Sequence, residues 1–93
     1  MRIETLTKQA LEKWGKESQL NMVIEECAEL IDAIQKCRRG RVKVDKVIEE
    51  GVDVELCIEQ LKLIADPEGL LWSLWRDKKL KRLEKLLKAE TNK

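Results

Sequence analysis

One short acidic pattern occurs twice in this 93-residue chain. It reads Glu25-Glu26-Cys27-Ala28-Glu29, then Glu49-Glu50-Gly51-Val52-Asp53, the second copy 24 residues after the first. Residues three and four apart share a helix face, which pairs Glu26 with Glu29 and Glu50 with Asp53. Apolar stripes run beside both pairs: Val23, Cys27, Leu30 and Ile34 in the first segment, Val47, Val54, Ile58 and Leu61 in the second. At about 100° per residue, Glu26 and Glu29 lie roughly −60° and −120° from Val23, and Glu50 and Asp53 lie at the same two offsets from Val47. Two helices packed antiparallel through those stripes would bring four carboxylates together beside the core. Like charges gathered in a partly desolvated place repel and raise one another's pKa. A fold that keeps such a cluster needs a counter-ion, and a hard, oxygen-binding cation such as Mg²⁺ suits carboxylates, water and substrate phosphates together. On the same reasoning, Glu50→Gln is expected to leave metal-free stability unaltered or to raise it. The competing expectation is a pair of solvated acidic faces. With 40% of the residues charged, one such pattern arises readily by chance; the matched offsets of two copies carry the weight.

The remaining composition narrows the class. Ninety-three residues are expected to form one domain spanning 1–93, with a small core that association would enlarge. The formal net charge is +1, so no global field selects a partner, yet the charges come in blocks. Residues 36–46 hold six bases and one acid, residues 47–68 seven acids and one lysine, and residues 76–93 eight bases and three acids. Three cysteines without a CxxC pair, and no histidine at all, argue against zinc. Cys27, Cys37 and Cys57 fall at helical positions and read as small core residues of a protein in the reducing cytoplasm. No long apolar run suggests a leader or a membrane span.

Four helices are expected. Ile3, Leu6, Ala10 and Trp14 recur at helical spacing until Gly15, and Ser18 is the expected cap of a second helix reaching about Arg39. Asp45 is the expected cap of a third helix, up to Ala65, in which Gly51 either permits a close helix approach or is simply tolerated. Asp66-Pro67-Glu68 reads as a strong start for the fourth, running to about Ala89. Leu70, Leu71, Leu74, Leu80, Leu83, Leu86 and Leu87 are expected to give that helix an apolar side. With no β pattern, the class is all-α, a four-helix bundle-like fold.

The spacing ExxE, a 20-residue gap from Glu29 to Glu50, then ExxD resembles that of the MazG-like nucleotide pyrophosphohydrolases. So do Trp14-Gly15, Gln19, EECAELIDAI, the basic turn at Arg39-Gly40 and the string VIEEGVDVELCIEQLKLI. The resemblance covers residues 10–65 well and the last helix loosely. It implies a MazG-type all-α NTP pyrophosphatase architecture and Mg²⁺-dependent cleavage of a nucleoside triphosphate between its α and β phosphates, giving a monophosphate and pyrophosphate. By motif position it implies Glu26, Glu29, Glu50 and Asp53 as metal ligands, with Glu25 an extra carboxylate nearby. Gly51-Val52 departs from the alanine-containing sequence of the family.

The residues suggest further roles. Without histidine a general base has to be a carboxylate, and Glu25 is the candidate. Lys79 and Arg82, three apart on the fourth helix, are candidates for holding phosphates, with Lys16 and Arg39 as alternatives. Trp14 reads as a core or interface anchor, base stacking being the alternative. The expected partners are a nucleoside triphosphate and further copies of the chain, as a homodimer or homotetramer. A nucleic-acid polymer is not expected, because the basic blocks lack interleaved aromatics. A di-iron bundle would need Glu-x-x-His. The rival to an enzyme is a helical interaction module that oligomerises through its leucine-rich C-terminal helix.

Overall fold

The computed structural model describes residues 2–91, without the side chain of Thr91. It contains α1 (Ile3–Trp14), α2 (Lys16–Arg38), α3 (Val44–Ala65) and α4 (Leu70–Thr91), and no strand among the described residues. The fold is all-α. No helix in it is long and apolar enough to cross a membrane.

The helix starts differ from the capping expectations, each for a local reason. Gly15 alone joins α1 to α2. Its N–H donates to the Leu11 carbonyl at 2.9 Å, closing α1, while its own carbonyl accepts from the Gln19 N–H at 3.1 Å, opening α2. The residue sits at φ 86°, a conformation that glycine reaches without a Cβ penalty. Ser18 therefore lies inside α2 and caps nothing. Asp45 likewise sits in the first turn of α3, whose preceding residue Lys43 makes no side-chain cap; its charge there faces the positive end of the helix dipole. Pro67 and Glu68 form a turn, so α4 begins at Leu70 instead of Pro67. Asp66 still serves that helix: its Oδ2 accepts the Trp72 N–H at 2.7 Å, satisfying one of the orphan donors of the first turn.

Residues 39–43 reverse the chain, and α2 and α3 then run antiparallel against each other as the main packed pair. Helix α1 lies across both, chiefly on α3. It is tied there by Gln60, whose Nε2 donates to the Thr7 carbonyl at 2.8 Å. The expected stripe residues Val23, Cys27, Leu30, Val47, Val54, Ile58 and Leu61 are half-buried between the helices, and Ile34 is exposed.

The fourth helix was expected to complete a bundle, and it does not. Helix α4 stands off the other three apart from a junction at Trp72, which is half-buried under the Lys62 ammonium 5.5 Å from its ring. The cause lies in its leucines. Leu70, Leu71 and Leu74 fall within about 100° of one another, whereas Leu80, Leu83 and Leu87 fall on roughly the opposite side. No single stripe runs the length of α4, and all seven leucines are exposed. The radius of gyration is accordingly 16.7 Å, against about 12 Å for a compact chain of this length. Ala33 and Cys57 are the only buried apolar residues among those described. Ile24 and Ile31 of α2 and Val44, Ile48 and Val52 of α3 stay exposed, on the shoulder of the α2–α3 pair away from the acidic offsets.

Gly51 permits no close approach within the chain, since a Cβ built on it meets nothing within 4 Å. Its cost as a mid-helix glycine is therefore uncompensated. Gly51→Ala is expected to stabilise the fold by up to about 1 kcal/mol, read as a higher urea midpoint with an unchanged m-value.

Candidate functional site

The antiparallel pairing of α2 and α3 brings acids together from both copies of the repeated pattern. Glu26, Glu29 and Glu50 each offer a carboxylate oxygen, and the three lie within 4.8 Å of one another. Asp53, one turn after Glu50, stays outside that trio. It raises the pKa of Glu26 by its charge and lines a cavity beside it. The trio grades from solvent to interior: Glu29 exposed, Glu26 half-buried, Glu50 only 5% exposed.

Electrostatics divide the acids into two kinds. Glu50 has a cation of its own, for Lys46 Nζ lies 2.9 Å from its Oε1. That ion pair holds the Glu50 carboxyl below its ordinary pKa, against the opposing effect of burial, and raises the pKa of Lys46. Glu49, on the exposed side of the same turn, is the more distant partner of Lys46 at 3.7 Å. Glu26 has no such partner. Burial first, then the charges of Glu29, Asp53 and Glu50, push its pKa up. Two oxygens of the cluster, Glu26 Oε2 and Glu50 Oε2, are buried with no hydrogen-bond partner. Buried acceptors in that state are uncommon in folded proteins and ask for an explanation. The donor set is all oxygen, anionic and short of counter-charge, and fits a hard divalent cation held by Glu26, Glu29 and Glu50 with Asp53 at its side.

Beside the cluster opens a cavity of about 490 Å³ between α1, α2 and α3. Glu26 and Asp53 stand on its wall, the apolar lining includes Ile3, Leu6, Met22 and Leu56, and two buried amides, Gln19 and Gln60, face it. The Cys57 thiol also lines it, with its pKa raised by burial and by Glu26 and Asp53; a thiol so placed is kept from the reactive thiolate form.

The other residues singled out from the sequence lie apart from this cluster. Glu25 is exposed, about 100° round α2 from Glu26. Trp14 is 59% exposed at the end of α1, beneath its neighbour Lys13, and is not on the cavity wall. Lys79 lines a separate groove at the α3–α4 junction with Trp72 and Trp75, and Arg82 is exposed further along α4. Lys16 and Arg39 are exposed at the two ends of the α2 region. The sequence reading gives Lys46 and Gln60 no role, and Gln19 enters it only as part of the family resemblance. Lys46 was legible as the i−4 neighbour of Glu50. Gln60 was legible as a polar residue continuing the Asp53–Cys57 face of α3.

The Glu50 ion pair corrects the expectation for Glu50→Gln, because the substitution removes a satisfied charge. Glu26 is the acid under repulsion. Its raised folded pKa stabilises the protein below the ordinary carboxylate range and is lost as pH rises through the raised value. The lowered pKa of Glu50 contributes above the ordinary range and is lost as pH falls through the lowered value. In metal-free buffer at neutral pH, Glu26→Gln should therefore raise the melting temperature and Glu50→Gln should lower it, with the Glu26→Gln advantage vanishing toward acid pH. Thermal melts between pH 3 and 8 check both signs, the window spanning the ordinary carboxylate pKa values.

Compared with family models, with curated proteins and with solved structures, the chain finds no match.

Proposed function

We propose that this chain is a MazG-like, Mg²⁺-dependent nucleoside triphosphate pyrophosphohydrolase that cleaves the α–β anhydride to give a monophosphate and pyrophosphate. The observation that carries the reading is the convergence of Glu26, Glu29 and Glu50, two of them with an unpartnered buried oxygen, beside an apolar cavity whose wall includes Glu26 and Asp53. The cluster supplies a place for cation and phosphates, and the cavity an apolar-walled place for the uncharged remainder of a nucleotide. When bound, Mg²⁺ would neutralise phosphate charge and lower the pKa of a water molecule.

The chain's own residues account for the remaining roles. Glu26, Glu29 and Glu50 hold the cation, with Asp53 as the adjoining carboxylate. Lys46 neutralises Glu50 in the metal-free protein. Lys46 lies one turn before Glu50 on the same helix, beside the cluster, and would pair with a phosphate oxygen of a bound substrate. Lys46 thus replaces Lys79 and Arg82 as the proposed phosphate contact, since α4 stands off the carboxylate helices of its own chain. Proton acceptance from the attacking water falls to a carboxylate of the cluster, there being no histidine. Glu25 faces away and gives up that role.

Incubating the protein with each NTP and dNTP, with and without Mg²⁺, tests the reading. Monophosphate and pyrophosphate are expected only with Mg²⁺; absence of product from every nucleotide would sink it. Glu29→Gln and Asp53→Asn should lose activity steeply, on the order of a hundredfold or more, because an amide oxygen is a poor substitute for a carboxylate on a hard cation. Glu49→Gln should stay close to the parent. Independently of turnover, MgCl₂ should raise the melting temperature more than NaCl of equal ionic strength does, by mass action on the folded state.

We also propose that copies of the chain associate as a homodimer or homotetramer. The support is the scarcity of buried apolar residues and the exposed faces of Ile24, Ile31, Val44, Ile48 and Val52 and of α4. Apolar patches of that extent commonly mark association surfaces. Sedimentation at micromolar concentration should give a dimer or tetramer, and the double substitution Ile31→Glu with Ile48→Glu should shift it toward monomer. A parent protein that sediments as a monomer would overturn this.

A further inference from the structure

We infer that Gln60 reads the edge of a nucleobase in the cavity, accepting a hydrogen bond from a base N–H through its Oε1, and so sets which nucleotide the site takes. The inference rests on the nucleotide reading above and names a residue to which that reading gives no part.

The orientation of the amide follows from its neighbour. The Thr7 carbonyl has only acceptor capacity, so the group facing it at 2.8 Å is the NH₂, and Gln60 Nε2 is its donor. That bond fixes the other end of the amide as an acceptor. Gln60 Oε1 is buried and has no hydrogen-bond partner, on a residue that is 6% exposed and lines the cavity. A ligand that reaches this point has to bring a donor, because an acceptor there would leave two lone pairs facing each other.

Place and surroundings select the kind of donor. Asp53, Cys57 and Gln60 follow one face of α3 and all line the cavity. Gln60 is thus about 10 Å along the helix axis from Asp53 and about 15 Å from Glu50. Ile3, Leu6, Met22 and Leu56 form apolar walls on the way, suited to the faces of a flat ring and poorly suited to a hydroxyl-rich sugar or a second phosphate. A ligand with phosphates at the cluster, an apolar-faced ring between those walls and an N–H at the far edge has the chemistry of a nucleotide. Trp14, the stacking alternative from the sequence, is not on this wall.

The test changes the ligand first, so it does not depend on a variant that folds. Binding of the common free nucleosides to the parent protein is measured by calorimetry or ligand-observed NMR. Each is compared with an isostere that carries C–H where the base carries N–H. At least one parent nucleoside should bind, and its isostere should bind about tenfold or more weakly, as expected for leaving a buried acceptor unpaired. In Gln60→Met, with folding verified by circular dichroism, parent and isostere should bind alike. Equal binding of both to the parent protein, or no nucleoside binding at all, would overturn the inference. Mg²⁺-dependent hydrolysis blind to the base would leave the pyrophosphohydrolase reading standing without it, whereas nucleoside binding without hydrolysis of any triphosphate would do the reverse.

Discussion

The buried Glu50 carboxylate is the charge around which the α2–α3 pair is arranged. A carboxylate taken out of water is tolerable only with a partner at hydrogen-bond distance, and Lys46 supplies one from a turn away on the same helix. Within the cluster that partner answers for Glu50 alone. Glu26, arriving from the facing helix, finds its neighbours all of one sign and keeps its proton more tightly than an ordinary glutamate. The two acids differ in environment more than in position, and environment is what separates carboxylates into different chemical roles. One lysine for three clustered acids leaves the rim under-neutralised, which is the electrostatic reason to look for a cation there.

The apolar side is as incomplete as the charge balance. A small domain buries a modest share of its surface at best, and here the interior is mostly half-buried side chains. The polar ties across it are few: Gln60 to the Thr7 carbonyl binds α3 to α1, and Asp66 to the Trp72 amide turns the chain into α4. Both are side chain to backbone bonds, made where helix ends or crossings leave a backbone group within reach. The same pattern of half-burial keeps open the cavity between α1, α2 and α3, because no large side chain fills it.

Much of this was legible from spacing. Four helices, the reversal between the two acidic copies and the shared shoulder of Glu26, Glu29 and Glu50 all follow from a period of 3.6 applied to one apolar stripe per helix. What was not legible has physical causes. Cap positions failed where backbone bonds through Gly15 closed and opened two helices at once, which left Ser18 nothing to cap. Helix α4 failed as a bundle member because a leucine count says nothing about azimuth, and its leucines change side midway. The expected sign of the Glu50→Gln effect reverses once the lysine four residues earlier is weighed beside the repulsion among acids. Glu25 shared a motif with Glu26 but not a face, so proximity in sequence could not place it in the cluster.

The face of α3 that joins these observations is a gradient rather than a point. It begins at Glu50 and Asp53, passes the protonated thiol of Cys57 and ends at the Gln60 amide, falling from charged to neutral polar over nearly three turns. Each step is polar enough to be out of place in a core and too buried to be a surface. Along it Glu50 Oε2 and Gln60 Oε1 are buried with no hydrogen-bond partner, as is Glu26 Oε2 on the facing helix, which costs stability. Such losses are kept where a ligand repays them on binding. The nucleotide reading proposed above would answer this arrangement, with anionic groups at one end and a hydrogen-bond donor at the other.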